Sequence, residues 1–267
     1  MTYSSKTTTQ APQWKPWRKL TAWICGIVAL GAAGLYFANI YWPYRYRNVE
    51  PLLENVFASK ITMDHCRRTY FPHPGFVATG LTLRRKNAHN LPPVGTAEEL
   101  HVQGEWNDLL ILHRSVPLVY VKGLRIVIPP VGSQASHQDF PPGSSMDFAG
   151  PDTSVERLHL HNAELDIQRI DGGEFRFPIR DLIILNLKRG NTITYSLDMD
   201  NAIPTGHLQS HGSFGPLKPK NLGETELSGE FTFMDAALQD ISGISGTLSS
   251  YGSLEIEPQP RGLGCAD

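Results

Sequence analysis

The chain has 267 residues, of which 40% are hydrophobic and 19% charged, with a formal net charge of −2. That balance excludes a wholly disordered chain, and it argues against general nucleic-acid binding. Three cysteines make neither a disulfide framework nor a zinc module. The near-neutral total hides an asymmetry. Residues 1–49 carry Lys6, Lys15, Arg18, Lys19, Arg45 and Arg47 and no acid, whereas 18 of the 24 basic residues and all 26 acidic ones lie from Glu50 onward. The sequence is a +6 head on a −8 body.

Residues 1–19 form a basic tail. Leu20 to Trp42 follow as 23 positions without a charge. At ~1.5 Å rise per residue, that run is long enough for a helix to cross a hydrocarbon core of ~30 Å. Trp17 and Trp23 at one end, and Tyr41 and Trp42 at the other, read as interfacial aromatic belts. Arg18 and Lys19 stand immediately before the run and keep the N-terminus in the cytoplasm, so the body is expected outside it. The rival reading is a cleaved signal peptide, with Leu20–Leu30 as its apolar region and Gly31-Ala32-Ala33 as its cleavage site. The apolar run continues past that site and ends in aromatics, which favours an anchor.

Pro43 ends the anchor helix because it has no N–H to continue the ladder. Over 48–58, Val49, Leu52, Leu53, Val56 and Phe57 fall on one helical stripe, with Asn48 as cap. From residue 60 the period becomes two. Phe175, Phe177 and Ile179 alternate with Arg176, Pro178 and Arg180. Ile193, Tyr195, Leu197 and Met199 alternate with Thr194, Ser196, Asp198 and Asp200. Leu227, Phe231 and Phe233 alternate with polar neighbours. Segments with one apolar and one wet face predict an antiparallel sheet. Residues 60–128 form a first β segment and 155–257 a second. Between them, 13 of the 26 residues at 129–154 are Pro, Gly or Ser, the composition of an exposed loop. Residues 258–267 read as a disordered tail.

Asp171-Gly172-Gly173 and Lys188-Arg189-Gly190-Asn191 read as turns between consecutive strands. The apolar phase shifts at Gly123, as a glycine bulge would make it do, and again at Asn162, where either a tight turn or a bulge would produce it. Two short helices are expected, Trp106–His113 and Asp235–Ile241, the second capped by Asp235.

No catalytic motif is present: no HExxH, GxSxG, GxGxxG or P-loop. The expectation is no catalytic residue, no cofactor and no metal. Cys66 is read as a buried thiol rather than a reactive one. His159 and His161 share a strand face, a half-site for a metal with Glu164 and Asp166 nearby. The bland reading of a polar strand face is preferred, because a site needs three or four convergent ligands. Glu224, Glu226 and Glu230 read as a solvated edge, and Arg84-Arg85-Lys86 as a solvated strand end.

The order of these features resembles the N-terminal part of the AsmA-like family of bacterial envelope proteins. The resemblance rests on a single anchor before Val49-Glu50-Pro51-Leu52-Leu53-Glu54, and then on Phe71-Pro72-His73-Pro74-Gly75-Phe76 leading into GLTLRR. It continues with WNDLLILH, VYVKGLRIVIPP, VERLHLHNAELDI, HLQSHGSFGPL and Met234-Asp235-Ala236-Ala237-Leu238. It spans roughly residues 20–250. The resemblance implies relation to bridge-like, chorein-type lipid-transfer proteins, with an elongated, curved, groove-like β-sheet and no catalytic residues. It implies an inner-membrane protein with a periplasmic body, whose partners are phospholipid or another acyl-chain lipid and other envelope proteins, and no nucleic acid. Relatives run on far beyond the Gly243–Leu248 segment, so the resemblance implies either a truncated form or a short paralogue here. The lipid-facing candidates are Phe175, Phe177, Ile193, Tyr195, Leu197, Phe231 and Phe233. The alternative function is an envelope assembly scaffold that meets partners through exposed strand edges.

Overall fold

The computed structural model describes residues 25–34, 36, 54, 59–85, 92–106, 115–130, 132–133, 154–188, 190–216, 225–242 and 244–256. The chain divides into two compact units, Met1–Pro43 and Tyr44–Asp267. In the first, residues 25–34 are helical and their side chains exposed. Most of the expected Leu20–Trp42 span lies outside the described residues, as do Trp17, Arg18, Lys19, Trp23, Tyr41 and Trp42. Among the described residues no helix is long and apolar enough to cross a membrane.

The second unit is mainly β. Its strands are β1 (Lys60–Thr62), β2 (His65–Thr69), β3 (Gly75–Arg84), β4 (Gly95–Gln103), β5 (Ser115–Lys122) and β6 (Arg125–Ile128), then β7 (Ser154–Gln168), β8 (Glu174–Leu187), β9 (Ile193–Ala202), β10 (Thr205–Phe214), β11 (Leu227–Ala237) and β12 (Thr247–Ile256). All belong to one 12-stranded sheet in the order β1-β3-β4-β5-β7-β8-β9-β10-β11-β12, with β2 on β3 and β6 between β4 and β7. The substantial contacts between described elements are all between sheet neighbours.

The sheet is mixed, which corrects the antiparallel expectation. β5 and β6 both run parallel to β7. A parallel pair needs a crossover between its strands, and residues 129–153 supply the chain length for one. The two β segments are therefore joined in a single sheet.

The two phase shifts seen in the sequence are parts of one feature. Gly80 (φ 65°), Gly123 (φ 63°) and Asn162 (φ 50°) are left-handed. The pairs on either side of them place Gly80 opposite Glu98, Glu98 opposite Gly123, Gly123 opposite Asn162, and Asn162 opposite Arg180. At Arg180 the β8–β9 register slips by one residue, so β9 is regular. A crease thus crosses β3 to β8 and ends there. Each strand changes phase at it: Phe76 and Ala78 give way to Leu81 and Leu83, and all four still share one core cluster. The extra residue in every strand keeps the apolar side chains on one face. At Gly123 a Cβ would lie 2.5 Å from the Glu98 side chain, so both the backbone and the space favour glycine there.

The turns form as the sequence predicts. Gly172 is left-handed, and the Asp171 carboxylate accepts the Gly173 N–H at 3.0 Å. Gly190 is left-handed, and the Asn191 N–H donates to the Lys188 carbonyl.

Several expectations are corrected. Asp235 caps no helix. It sits in β11 with φ 55° where the β11–β12 register shifts, and Ala236 and Ala237 continue the pairing. A short polar side chain tolerates that left-handed bulge position. The helix starts later, at Gln239–Ser242, and there Asp240 accepts hydrogen bonds from the Thr205 N–H and hydroxyl at 2.7 and 2.8 Å. Arg85 is buried rather than solvated, and its guanidinium donates to the Pro92 carbonyl. Glu230 is exposed but lies on β11, which β12 covers, so it is not on an edge. Of the expected helices at 48–58 and 106–113, only Glu54 and Trp106 are described, both helical. Glu224, Lys86 and most of 129–154 lie outside the described residues.

Candidate functional site

The sheet has two faces of opposite character. Registration decides which side chains share a face, because residues paired across strands point the same way and period two extends this along each strand. Leu182 pairs with Leu197, Ile184 with Tyr195, and Ile179 with Met199. Leu197 pairs with Ser210, Tyr195 with Gly212, and Ile193 with Phe214. Ser210 pairs with Phe231 and Leu208 with Phe233. Phe175 and Phe177 follow from Ile179 by alternation. All seven lipid-facing candidates therefore lie on one face.

Their exposure is uneven. Ile193 is fully buried at 0%, and the other six are half-buried. Aromatic rings fill shallow ground left by glycines. A Cβ at Gly229 would lie 2.6 Å from the Tyr195 hydroxyl, and one at Gly252 would lie 3.0 Å from the Phe231 ring. The Tyr195 ring packs against Phe214 at 5.9 Å, and its hydroxyl lies 3.2 Å from the Ser210 hydroxyl. A tyrosine here offers an apolar body and a polar tip to the same surface. Phe175, at the far end of β8, carries the Arg169 guanidinium 5.1 Å above its ring.

The opposite face is a field of histidines and carboxylates. His101 pairs with Glu99 at 2.7 Å, His207 with Asp200 at 3.0 Å, and His211 with Glu230 at 3.6 Å. In the middle, the His159 Nε2–H and His161 Nδ1–H both donate to one oxygen, Asp181 Oδ1, at 2.8 and 3.0 Å. Hydrogen bonds from His161 and then His159 hold the Asp181 carboxyl below the usual carboxylate range. His207 does the same for Asp200. Tyr120, the register neighbour of His159, contacts both rings at 5.3 and 6.4 Å.

Sequence reading paired His159 and His161 correctly but joined them to the wrong acids. Glu164 and Asp166 belong to Arg125. Its guanidinium reaches Asp166 at 2.6 Å and Glu164 at 3.7 Å, and Asp166 is 1% exposed. Burial, and then a hydrogen bond with Asp166, raise the Glu164 carboxyl above its usual range. The convergent acid, Asp181, is a β8 residue twenty positions away. Only the β7–β8 register, with His161 opposite Asp181, brings it in. Cys66 is a free, partly buried thiol packed against the core, and burial raises it above its ordinary value.

No family model and no curated protein matches the chain.

Proposed function

We propose that the chain is a membrane-anchored, AsmA-like envelope protein, non-enzymatic, that binds lipid acyl chains on the apolar face of β8–β12 and helps transfer them. The observation that carries this reading is the incomplete burial of six apolar side chains on one face, Phe175, Phe177, Tyr195, Leu197, Phe231 and Phe233. Aligned apolar side chains left partly open to solvent are what a bound acyl chain would cover. At ~0.8 kcal/mol per methylene removed from water, about ten methylenes seated on such a face contribute on the order of 8 kcal/mol before ordering costs. The uncharged run Leu20–Trp42, with Arg18 and Lys19 before it, supports an inner-membrane anchor with the body in the periplasm. The curved, groove-like form belongs to the same reading.

Mass spectrometry of lipids that copurify with the full chain tests this proposal. Stoichiometric phospholipid supports it; protein that is lipid-free after gentle extraction argues against it.

One observation favours the scaffold alternative. Among the described residues β12 is an edge strand, ten residues long with a single charge, Glu255, and its Leu248, Tyr251 and Leu254 are exposed. Edges this weakly protected invite strand addition. Crosslinking from position 251 to an envelope protein, without bound lipid, is the outcome that reading predicts.

A further inference from the structure

We propose that His159, His161 and Asp181 form a binding site for a divalent transition metal of the zinc class, on the polar face opposite the apolar one. One ligand atom from each lies within 4.8 Å of the other two. Two imidazole nitrogens and a carboxylate oxygen are the donors that borderline ions such as Zn²⁺ prefer. The set is built by the sheet rather than by a flexible loop. His159 and His161 are two apart on β7, and Asp181 is the β8 register partner of His161.

The distances need little adjustment. Zinc bonds of ~2.1 Å in a tetrahedron separate the donors by about 3.4 Å, against 2.8 and 3.0 Å between Asp181 Oδ1 and the two nitrogens. An opening of about half an ångström brings those two distances to that value. The two nitrogens lie within 4.8 Å of each other, and the Asp181 side chain, 46% exposed, can move. The metal would replace the two imidazole protons that now meet on one oxygen. Tyr120 packs against both rings and limits their rotation. The neighbouring cation, Lys122, has its ammonium 3.8 Å from Glu98. The His159, His161 and Asp181 side chains are 28%, 38% and 46% exposed, so water can reach the cluster and would complete the coordination. His207 supplies a contrast. Its Nδ1 meets Asp200 and its Nε2 lies 3.5 Å from Asp198, so its two carboxylates sit at opposite sides of the ring and do not converge.

The test is calorimetric titration of the full chain, in detergent and without a polyhistidine tag, with Zn²⁺ at neutral pH. Cobalt absorbance reports the coordination. The expected result is one ion per chain with micromolar affinity. That affinity falls at least tenfold in Asp181→Ala, His159→Gln and His161→Gln, and is unchanged in His207→Gln. Cobalt should give the visible bands of a four- or five-coordinate ion, lost in the same three variants. Each variant is first checked for an unchanged thermal transition, and the three substitutions at separate positions guard against the misfolding of one. No binding by the wild type, or binding that survives all three substitutions, overturns the assignment.

Discussion

The two ends of the sheet use the same alternating pattern to different effect. Among the described residues twelve hydrophobic side chains are buried, and ten of them lie in β1 to β7: Ile61, Phe76, Ala78, Leu81, Leu83, Ala97, Leu100, Val102, Val121 and Ala163. Among the described residues the other two, Ile193 and Ala236, lie in β8 to β12, although that end carries more aromatic side chains on its apolar face. Alternation says which side of a strand is greasy. It does not say whether that side is sealed. The first end has the economy of an ordinary core, whereas the second leaves its apolar side chains partly open to solvent, the surface that the proposed acyl chains would cover.

The largest expected effect separates the two ends directly. Phe76 is 2% exposed, so Phe76→Ala should cost ~3–5 kcal/mol of unfolding free energy in denaturant titration. Phe233, half-buried on the open face, should lose less than about 2 kcal/mol on the same change. Equal losses at the two sites would mean that the open face is a closed core in solution.

The crease gives the next effect. Gly123→Ala should cost about 1–2 kcal/mol, because a Cβ is strained at its left-handed backbone and meets Glu98. Asn162→Gly, one strand away in the same conformation, should be close to neutral in the same assay. A neutral Gly123→Ala would show that the crease is not a fixed feature of the sheet.

The smallest effect concerns acid stability of the polar face. Asp181 and Asp200 are held below the ordinary carboxylate range by their histidine partners. A lowered folded-state value stabilises the protein above the unfolded value of ~3.9, and that contribution disappears as pH falls through the folded value. Thermal melts taken from about pH 5 down to about pH 2 should therefore fall less steeply for the double variant Asp181→Asn, Asp200→Asn than for the wild type. Parallel curves would show that these contacts do not persist in solution.

Much of the sheet was legible in the sequence, and the reasons for the rest are physical. Strands and turns such as Asp171-Gly172-Gly173 are local, written in alternation and in the left-handed glycine that each turn needs. The phase shifts at Gly123 and Asn162 were legible one at a time. That they are neighbours was not, because parallel pairing across residues 129–153 leaves no periodic trace. Asp235 misled because an acid before two alanines suits a helix cap as well as a left-handed bulge. The apolar face was legible residue by residue, since alternation fixes Phe231 and Phe233 together. The His159–His161–Asp181 cluster was two-thirds legible: spacing gives the histidines, but the acid comes from the neighbouring strand's register.

The claim that matters most is that the open face of β8–β12 holds acyl chains. The most direct measurement compares lipid bound to the full-length wild type with that bound to the triple variant Leu197→Ser, Phe231→Ser, Phe233→Ser, by mass spectrometry after identical detergent extraction. The account predicts stoichiometric phospholipid on the wild type and a loss of at least most of it in the variant, with the thermal transition of the β1–β7 core retained. Equal lipid on both proteins, or none on the wild type, would contradict it.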